Sequence, residues 1–198
     1  MSRQAEIVEA LRDHGFQSVN ELAARFGVTA STLRRDLVHL ESMDLVRRTH
    51  GGAMPVTQSE TPQNFKAELH RPEKAAIGQA MAERILEGQT VLLAGGTTTL
   101  EVARHLTHRR LTVVTNDLRI AMEITTKRAL HLVFIGGELL PNGFTMWGPT
   151  SVQQLSNLRV DAAVFGADTV ADDGIYSTSS YEIELKRLML ANAKASFF

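Results

Sequence analysis

The stretch from Val19 to Ala53 constrains this chain more than any other, because it sets two short helical patterns on either side of a glycine and follows them with an extended basic segment. Leu22, Ala23 and Phe26 recur at helical spacing, and Gly27 breaks the run where a tight turn must leave a helix. A second helix follows almost at once, with either Thr29 or Ser31 able to cap it. Its Leu33, Leu37 and Leu40 fall on one side at spacings of four and three, which makes that side the core face. At about 100° per residue, Ser31, Thr32, Arg35, Val38 and His39 lie opposite the leucines, with Arg34 on the flank.

A helix, a short glycine turn and a second helix with polar residues at its N-terminal end is the helix-turn-helix arrangement, here over about residues 17–36. That N-terminal end enters the DNA major groove. Arg35 is the candidate base contact, since a guanidinium can bond bidentately to guanine. Ser31, Thr32 and Arg34 are candidates for phosphate contacts and register, and Thr29 and His39 are further candidate DNA contacts. Leu45 to Gly52 reads as a short extended segment ending in a glycine turn, a wing that would bring Arg47, Arg48 and His50 to the backbone or minor groove. An arginine pair alone is usually a solvated face. The ordered set of pieces is what makes a DNA-reading module, residues 1–55, the first hypothesis.

This stretch resembles the N-terminal winged helix-turn-helix of the DeoR family of bacterial regulators. The matching residues are Glu21-Leu22-Ala23, Phe26, Val28, Thr32-Leu33-Arg34-Arg35-Asp36-Leu37, Leu40, Leu45, Arg47 or Arg48, and His50-Gly51-Gly52-Ala53. Thr29 stands where the family usually has Ser, and still caps a helix. Asp44 stands where it usually has Gly, and Asp tolerates a left-handed turn better than most residues.

Composition narrows the classes further. The chain has 198 residues, 43% hydrophobic, enough for one good core and a small second domain. Absence of cysteine excludes disulfides and thiolate metal sites. No apolar run reaches the roughly 18 residues of a membrane span, and no secretory signal opens the chain, so a cytoplasmic location is expected. The histidines form no HxxxH or HxH pair, so neither a metal nor another cofactor is expected. Net charge is −1 overall, and residues 1–55 carry seven Lys/Arg against seven Asp/Glu. Modest nonspecific attraction to DNA follows, with a need for homo-oligomers to gain affinity.

Residues 56–72, with Pro55 just before them, Pro62 and Pro72, and a polar run from Thr57 to Thr61, read as a linker in which Phe65 is the aromatic exception. From residue 73 onward helices and apolar strands alternate. Helices are expected at about Glu73–Leu86, up to Leu106, up to about Thr125, near Val152–Leu158 and at about Tyr181–Asn192. Strands are expected at Thr90–Ala94, Leu111–Thr115, His131–Ile135 and Asp161–Gly166. This predicts an α/β domain with a mostly parallel sheet covered on both faces, whose ligands collect at the carboxyl ends of the strands.

The glycine clusters sit at such ends. Gly95-Gly96-Thr97-Thr98-Thr99 opens a helix where free N–H groups and hydroxyls suit a phosphate, unless Thr98 and Glu101 form a capping box there. Asn116, Gly136-Gly137 and Gly166-Ala167-Asp168 follow later strands; Asn116 and Asp168 suit sugar hydroxyls or plain turn chemistry. Glu182 and Lys186, four apart, form either an exposed ion pair or a sugar contact. Met146 and Trp147 read as core or lid.

The order of these loops resembles the C-terminal effector domain of the same family, itself similar to sugar-phosphate isomerases. The matching positions are Gly96-Thr97-Thr98, Thr115-Asn116, Gly136-Gly137, Gly148, Asp161 to Gly166, Gly174, Glu182 and Lys186. The resemblance implies a repressor of sugar or related carbon metabolism that binds a double-stranded DNA operator and is released by a phosphorylated sugar or similar metabolite. Ala94 stands where the family commonly carries Asp, which removes one implied contact. The chain reaches Ala195-Ser196-Phe197-Phe198, an apolar strand start, without the family's later acidic residue and lysine. The expectation is therefore a shortened effector domain with an exposed sheet edge. Two other functions fit less of the pattern: a working isomerase using Asp117, Asp168 or Glu182 as acid or base, and a winged helix that binds protein instead of DNA.

Overall fold

The computed structural model describes residues 2–49, 51–56, 63–107, 110–140, 143–167, 169–177 and 180–198. The chain forms two compact units, Met1–Arg71 and Pro72–Phe198.

The first unit opens with α1 (Arg3–His14), capped by Ser2 and stopped at Gly15, whose φ of 72° is open to glycine. A short strand β1 (Gln17–Ser18) leads into α2 (Val19–Arg25). Ser18 and Glu21 close a reciprocal capping box at its start: Glu21 N–H donates to Ser18 Oγ at 3.2 Å, and Ser18 N–H donates to Glu21 Oε2 at 2.8 Å. Gly27, at φ 61°, turns the chain into α3 (Ala30–Ser42). The α3 C-terminus is a Schellman motif, in which Asp44 N–H donates to Glu41 O and Leu45 N–H to Leu40 O, both at 3.0 Å. Asp44 takes the left-handed position at φ 60°, in agreement with the tolerance argued for it.

Next come β2 (Val46–Thr49) and β3 (Gly52–Pro55), an antiparallel hairpin that β1 extends to a three-stranded sheet of order β1-β3-β2. The wing read from sequence as one extended segment is this sheet. Ile7, Leu11, Leu22, Leu33, Leu37 and Leu40 are fully buried in the core beneath it. Within the stretch read as a linker, α4 (Gln63–Glu68) forms and Leu69 is buried in the same core.

In the second unit, α5 (Arg71–Arg84) leads to β4 (Thr90–Leu93), α6 (Thr97–His105), β5 (Leu111–Thr115), α7 (Leu118–Thr125) and β6 (Leu130–Phe134). A pair of two-residue antiparallel strands follows, β7 (Glu138–Leu139) with β8 (Met146–Trp147), then α8 (Pro149–Ser156) and β9 (Val160–Val164). A second hairpin pairs β10 (Thr169–Ala171) with β11 (Gly174–Tyr176), and α9 (Ser180–Ala191) and β12 (Ala193–Phe197) complete the order. The central sheet is parallel, in the order β12-β9-β4-β5-β6.

Both faces of that sheet are covered, because alternate residues of its buried strands pack on opposite sides. Val91, Leu93 and Val113 join Ala103, Ile120 and Ile124 of α6 and α7 on one face. Leu92, Ala94 and Val114 join Leu155, Leu185 and Met189 of α8 and α9 on the other. The chain proceeds outward from β4 to β6, then returns to β9 on the opposite side of β4. Strand order therefore reverses between β4 and β9, and the crevice at their carboxyl ends is where such sheets bind ligands.

Candidate nucleic-acid interface and candidate effector cleft

Thr29 is the cap of α3, its Oγ1 accepting from Thr32 N–H at 3.2 Å, and Ser31 is left exposed on the first turn. The hydroxyls of Thr29 and Thr32 share a hydrogen bond of 3.0 Å, so both are engaged with each other at the helix entrance. Beyond them, Arg34, Arg35, Val38 and His39 are exposed while Leu33, Leu37 and Leu40 are buried. The outward face is the one the helical spacing describes.

Asp36 is the exception that spacing did not single out. It is buried, and its carboxylate accepts from Arg3 Nε at 2.7 Å and Gln4 Nε2 at 3.2 Å, tying α1 to the middle of α3. Burial opposes its ionisation, but the hydrogen bonds from Arg3 and Gln4 and the charges of Arg3 and Arg35 outweigh that, holding its pKa below the usual carboxylate range. Asp36 thereby fixes the helix that presents Arg34 and Arg35.

The two wing arginines separate. Successive residues of a strand point to opposite faces. Arg47 is exposed, with no side-chain hydrogen bond or ion pair among the described residues. Arg48 turns to α3: its Nε donates to Glu41 Oε2 at 2.6 Å and its backbone N–H to Glu41 Oε1 at 2.9 Å. His50 lies outside the described residues. Gly52 pairs with Ser18 of β1; a Cβ there would sit 2.3 Å from Gln17 O and 2.5 Å from the Phe16 ring.

In the second unit, Gly95, Asn116, Glu182 and Lys186 come together around one narrow cleft with Ala94 and Thr145. The cleft opens at the carboxyl end of β4. Gly96 caps α6 without any side-chain hydrogen bond, and the Glu101 carboxylate accepts from Arg104 instead, so the capping-box alternative for Thr98 and Glu101 does not form. Thr97 and Thr98 are half-buried beside this free helix N-terminus, whereas the Thr99 hydroxyl is spent on Gly96 O at 2.9 Å. Lys186 Nζ lies 3.0 Å from Glu182 Oε2 and donates to Ser177 Oγ at 3.1 Å. Both side chains of this pair are only about a fifth exposed, at 20% and 19%, so the pair lines the cleft and is not the exposed one that spacing alone suggested.

Asn116 is 2% exposed; its Nδ2 donates to Met146 O at 2.9 Å, and its Oδ1 is buried without a hydrogen-bond partner among the described residues. A buried acceptor with no donor is costly, and a ligand hydroxyl would satisfy it. Thr145, which sequence reasoning missed, belongs to the segment that crosses the rim here: a Cβ on Gly95 would lie 2.4 Å from Thr145 Oγ1. That segment is held by Leu118 N–H to Phe144 O at 2.9 Å and Met146 N–H to Asn116 O at 2.7 Å, and the Arg119 guanidinium stacks 4.4 Å from the Phe144 ring centre.

Gly136 and Gly137 do not line this cleft. Gly136 N–H donates to Gln154 Oε1 at 3.1 Å, Gly136 O accepts from Ser151 Oγ at 2.7 Å, and a Cβ on Gly137, at φ 153°, would lie 2.3 Å from Trp147 O. Their glycines serve close packing against α8. Asp117 is a buried N-cap of α7, accepting from Arg119 N–H at 2.8 Å and Ile120 N–H at 3.3 Å, which occupies it structurally. Asp168 lies outside the described residues. Among the described residues no group of three or more His, Cys, Asp or Glu could hold a metal ion, and no helix is long and apolar enough to cross a membrane.

Comparison with known proteins agrees with both units. Residues 3–59 match the DeoR-like helix-turn-helix domain, and residues 69–198 the DeoR C-terminal sensor domain. The chain is 42% identical over 182 residues to the transcriptional repressor AccR of Agrobacterium fabrum, covering 90% of this chain and 70% of that one. It is 32% identical over 195 residues to the glycerol-3-phosphate regulon repressor of Escherichia coli, covering 97% and 77%. A solved structure, ribose 5-phosphate isomerase A of Methanocaldococcus jannaschii, overlaps 64% of this chain and 50% of that one at 16% identity with a TM-score of 0.46. With a helix-turn-helix unit ahead of a parallel-sheet sensor unit, the chain belongs to the DeoR family of DNA-binding transcriptional regulators.

Proposed function

We propose that the chain is a repressor of sugar or related carbon metabolism genes, released from its operator by a phosphorylated sugar-like effector. Residues 1–55 carry the DNA contacts, 56–72 connect, and 73–198 sense. The observation that carries the DNA assignment is the outward face of α3, where Ser31, Arg34, Arg35, Val38 and His39 stand exposed beside the wing. Arg35 reads a base edge, and Ser31, Thr32, Arg34, His39 and Arg47 hold phosphates. Thr29 acts by capping α3 and Arg48 through Glu41. His50 retains the wing role that the family motif implies.

The effector binds at the free N-terminus of α6, where Gly95 to Thr98 and Lys186 receive the phosphate and Asn116 Oδ1 accepts a sugar hydroxyl. Glu182 orients Lys186, and Asp168, which follows β9 in the sequence, retains the sugar-hydroxyl role suggested by its sequence context. Gly136 and Gly137 shape the rim through packing. The names of the relatives support this ligand class, since one regulates a glycerol-3-phosphate regulon. The active form is a cytoplasmic homo-oligomer whose paired modules read repeated half-sites, and the effector shifts the population competent for DNA.

The test is binding to an operator selected from a randomised duplex pool, at two salt concentrations, with and without a panel of sugar phosphates. Specific binding released by one compound supports the proposal; binding indifferent to every compound overturns the effector assignment. Arg35→Ala is expected to relax sequence preference, and Arg47→Ala to weaken all duplexes alike. Thr98→Val is expected to abolish the effector response while sparing DNA binding.

A further inference from the structure

We propose that Glu41 is a positioning residue of the DNA interface: it takes the place of a phosphate on Arg48, neutralising that guanidinium while pinning the outer strand of the wing to the recognition helix α3. The inference rests on the reading that α3 and the wing face DNA.

Strand β2 is the outer strand of the order β1-β3-β2, so some of its amides have no strand to pair with. The amide of Arg48 is one of them, and its side chain is a cation on the same strand. A free edge amide and a free guanidinium would both find phosphate oxygens on DNA. Glu41 engages both, one carboxylate oxygen on each: Oε1 accepts from Arg48 N–H at 2.9 Å and Oε2 from Arg48 Nε at 2.6 Å. The hydrogen bond from the Arg48 amide, then that from its guanidinium, hold the Glu41 pKa below the usual carboxylate range, so the group stays ionised at neutral pH.

The cleft between α3 and the wing is lined by Arg34, Leu37, Glu41, Arg48, Gly51 and Gly52. Two arginines thus face one groove, and one of them already has its anion. Arg34 has no side-chain hydrogen bond or ion pair among the described residues. The working cations of the interface reduce to Arg34, Arg35 and Arg47. Removing one cation from the phosphate count lowers affinity for every duplex equally, and a fixed wing lowers the ordering cost only where the groove geometry fits. Discrimination is a difference of affinities: the first effect lowers the affinity for all DNA and leaves that difference unchanged, while the second favours the operator over random DNA.

The experiment uses the full chain and measures affinity for a random-sequence duplex across a salt series, because the slope of log K against log salt counts neutralised phosphates. In Glu41→Gln the slope is expected to steepen by about 0.9, the increment of one added phosphate contact. Arg48→Ala alone is expected to leave the wild-type slope unchanged, and the same change made in the Glu41→Gln background to return the slope to the wild-type value. This non-additivity separates the role from a general loss of negative charge, which would steepen the slope whether or not Arg48 is present. The ratio of operator to random affinity is expected to fall in Glu41→Gln with no loss of fold by thermal melting. A wild-type slope in Glu41→Gln, or a flatter slope in Arg48→Ala alone, overturns the proposal. Arg35→Ala serves as the reference: if it leaves operator preference intact, the assigned interface is wrong, whereas if it acts and Glu41→Gln is silent, only the role of Glu41 fails.

Discussion

Asp36 directly follows Arg34 and Arg35, which α3 presents to solvent, yet it faces inward. Its ion pair with Arg3 and its hydrogen bond from Gln4 set the rotation of α3 against α1, and through it the direction of Arg34 and Arg35. Because its pKa is lower in the folded chain than in the unfolded one, its contribution to stability is present above the ordinary carboxylate pKa of about 4 and is lost as pH falls through the folded value. Asp36→Asn is therefore expected to melt several degrees lower at pH 7, with the difference from wild type shrinking below about pH 4. Thermal melts across a pH series check this. A difference that stayed constant to low pH would assign the loss to packing and not to charge.

At the scale of elements, the wing depends on two backbone positions of opposite character. Asp44 ends α3 in a left-handed conformation that costs a side chain more than glycine, so Asp44→Gly is expected to stabilise the first unit by about 1 kcal/mol. Urea unfolding would read that gain. Gly52 has no such slack, because Gln17 O and the Phe16 ring occupy the space of a Cβ. Gly52→Ala is expected to cost about 1–3 kcal/mol and to pull β1 from β3, weakening operator binding as well as stability. Normal binding in that variant would show that β1 can move aside without disturbing the wing. In the second unit, Asn116, the crossing segment with Thr145 and the α9 pair Glu182–Lys186 meet over the Gly95 turn, so the cleft is built from four parts of the chain.

At the scale of the molecule, charge is nearly balanced, at −1 over the whole chain. A protein of this kind gains little from general attraction to DNA and must gain affinity from geometry. In the proposed homo-oligomer, two modules on two half-sites would supply it, because the second contact is intramolecular once the first has formed. A duplex with one half-site is accordingly expected to bind at least about tenfold more weakly than one with two correctly spaced half-sites. Equal affinity for the two duplexes, measured at one salt concentration, would rule out paired reading. An effector that releases the operator, as proposed, must bind more weakly to the operator-bound chain by the same factor that it weakens operator binding.

Local pattern was sufficient wherever chemistry is local. The spacing of Leu33, Leu37 and Leu40 determined which side of α3 is buried, Gly27 and Asp44 marked its turns, and apolar strands alternating with helices determined a parallel sheet with both faces covered. The box of Ser18 and Glu21 has a local spacing that sequence reasoning nonetheless missed, and the hairpins β7–β8 and β10–β11 were not readable, because strands of two or three residues are too short to show a period. Tertiary structure alone decided the pairings across distance. It separated Arg47 from Arg48, closed Asp36 onto Arg3, released α6 from the capping box, and set Thr145, Asn116 and Lys186 around one cleft. The physical reason is the same in each case: whether a charge or amide is free depends on which partner the fold brings within about 3 Å, and sequence spacing governs that only within a helical turn or along a strand.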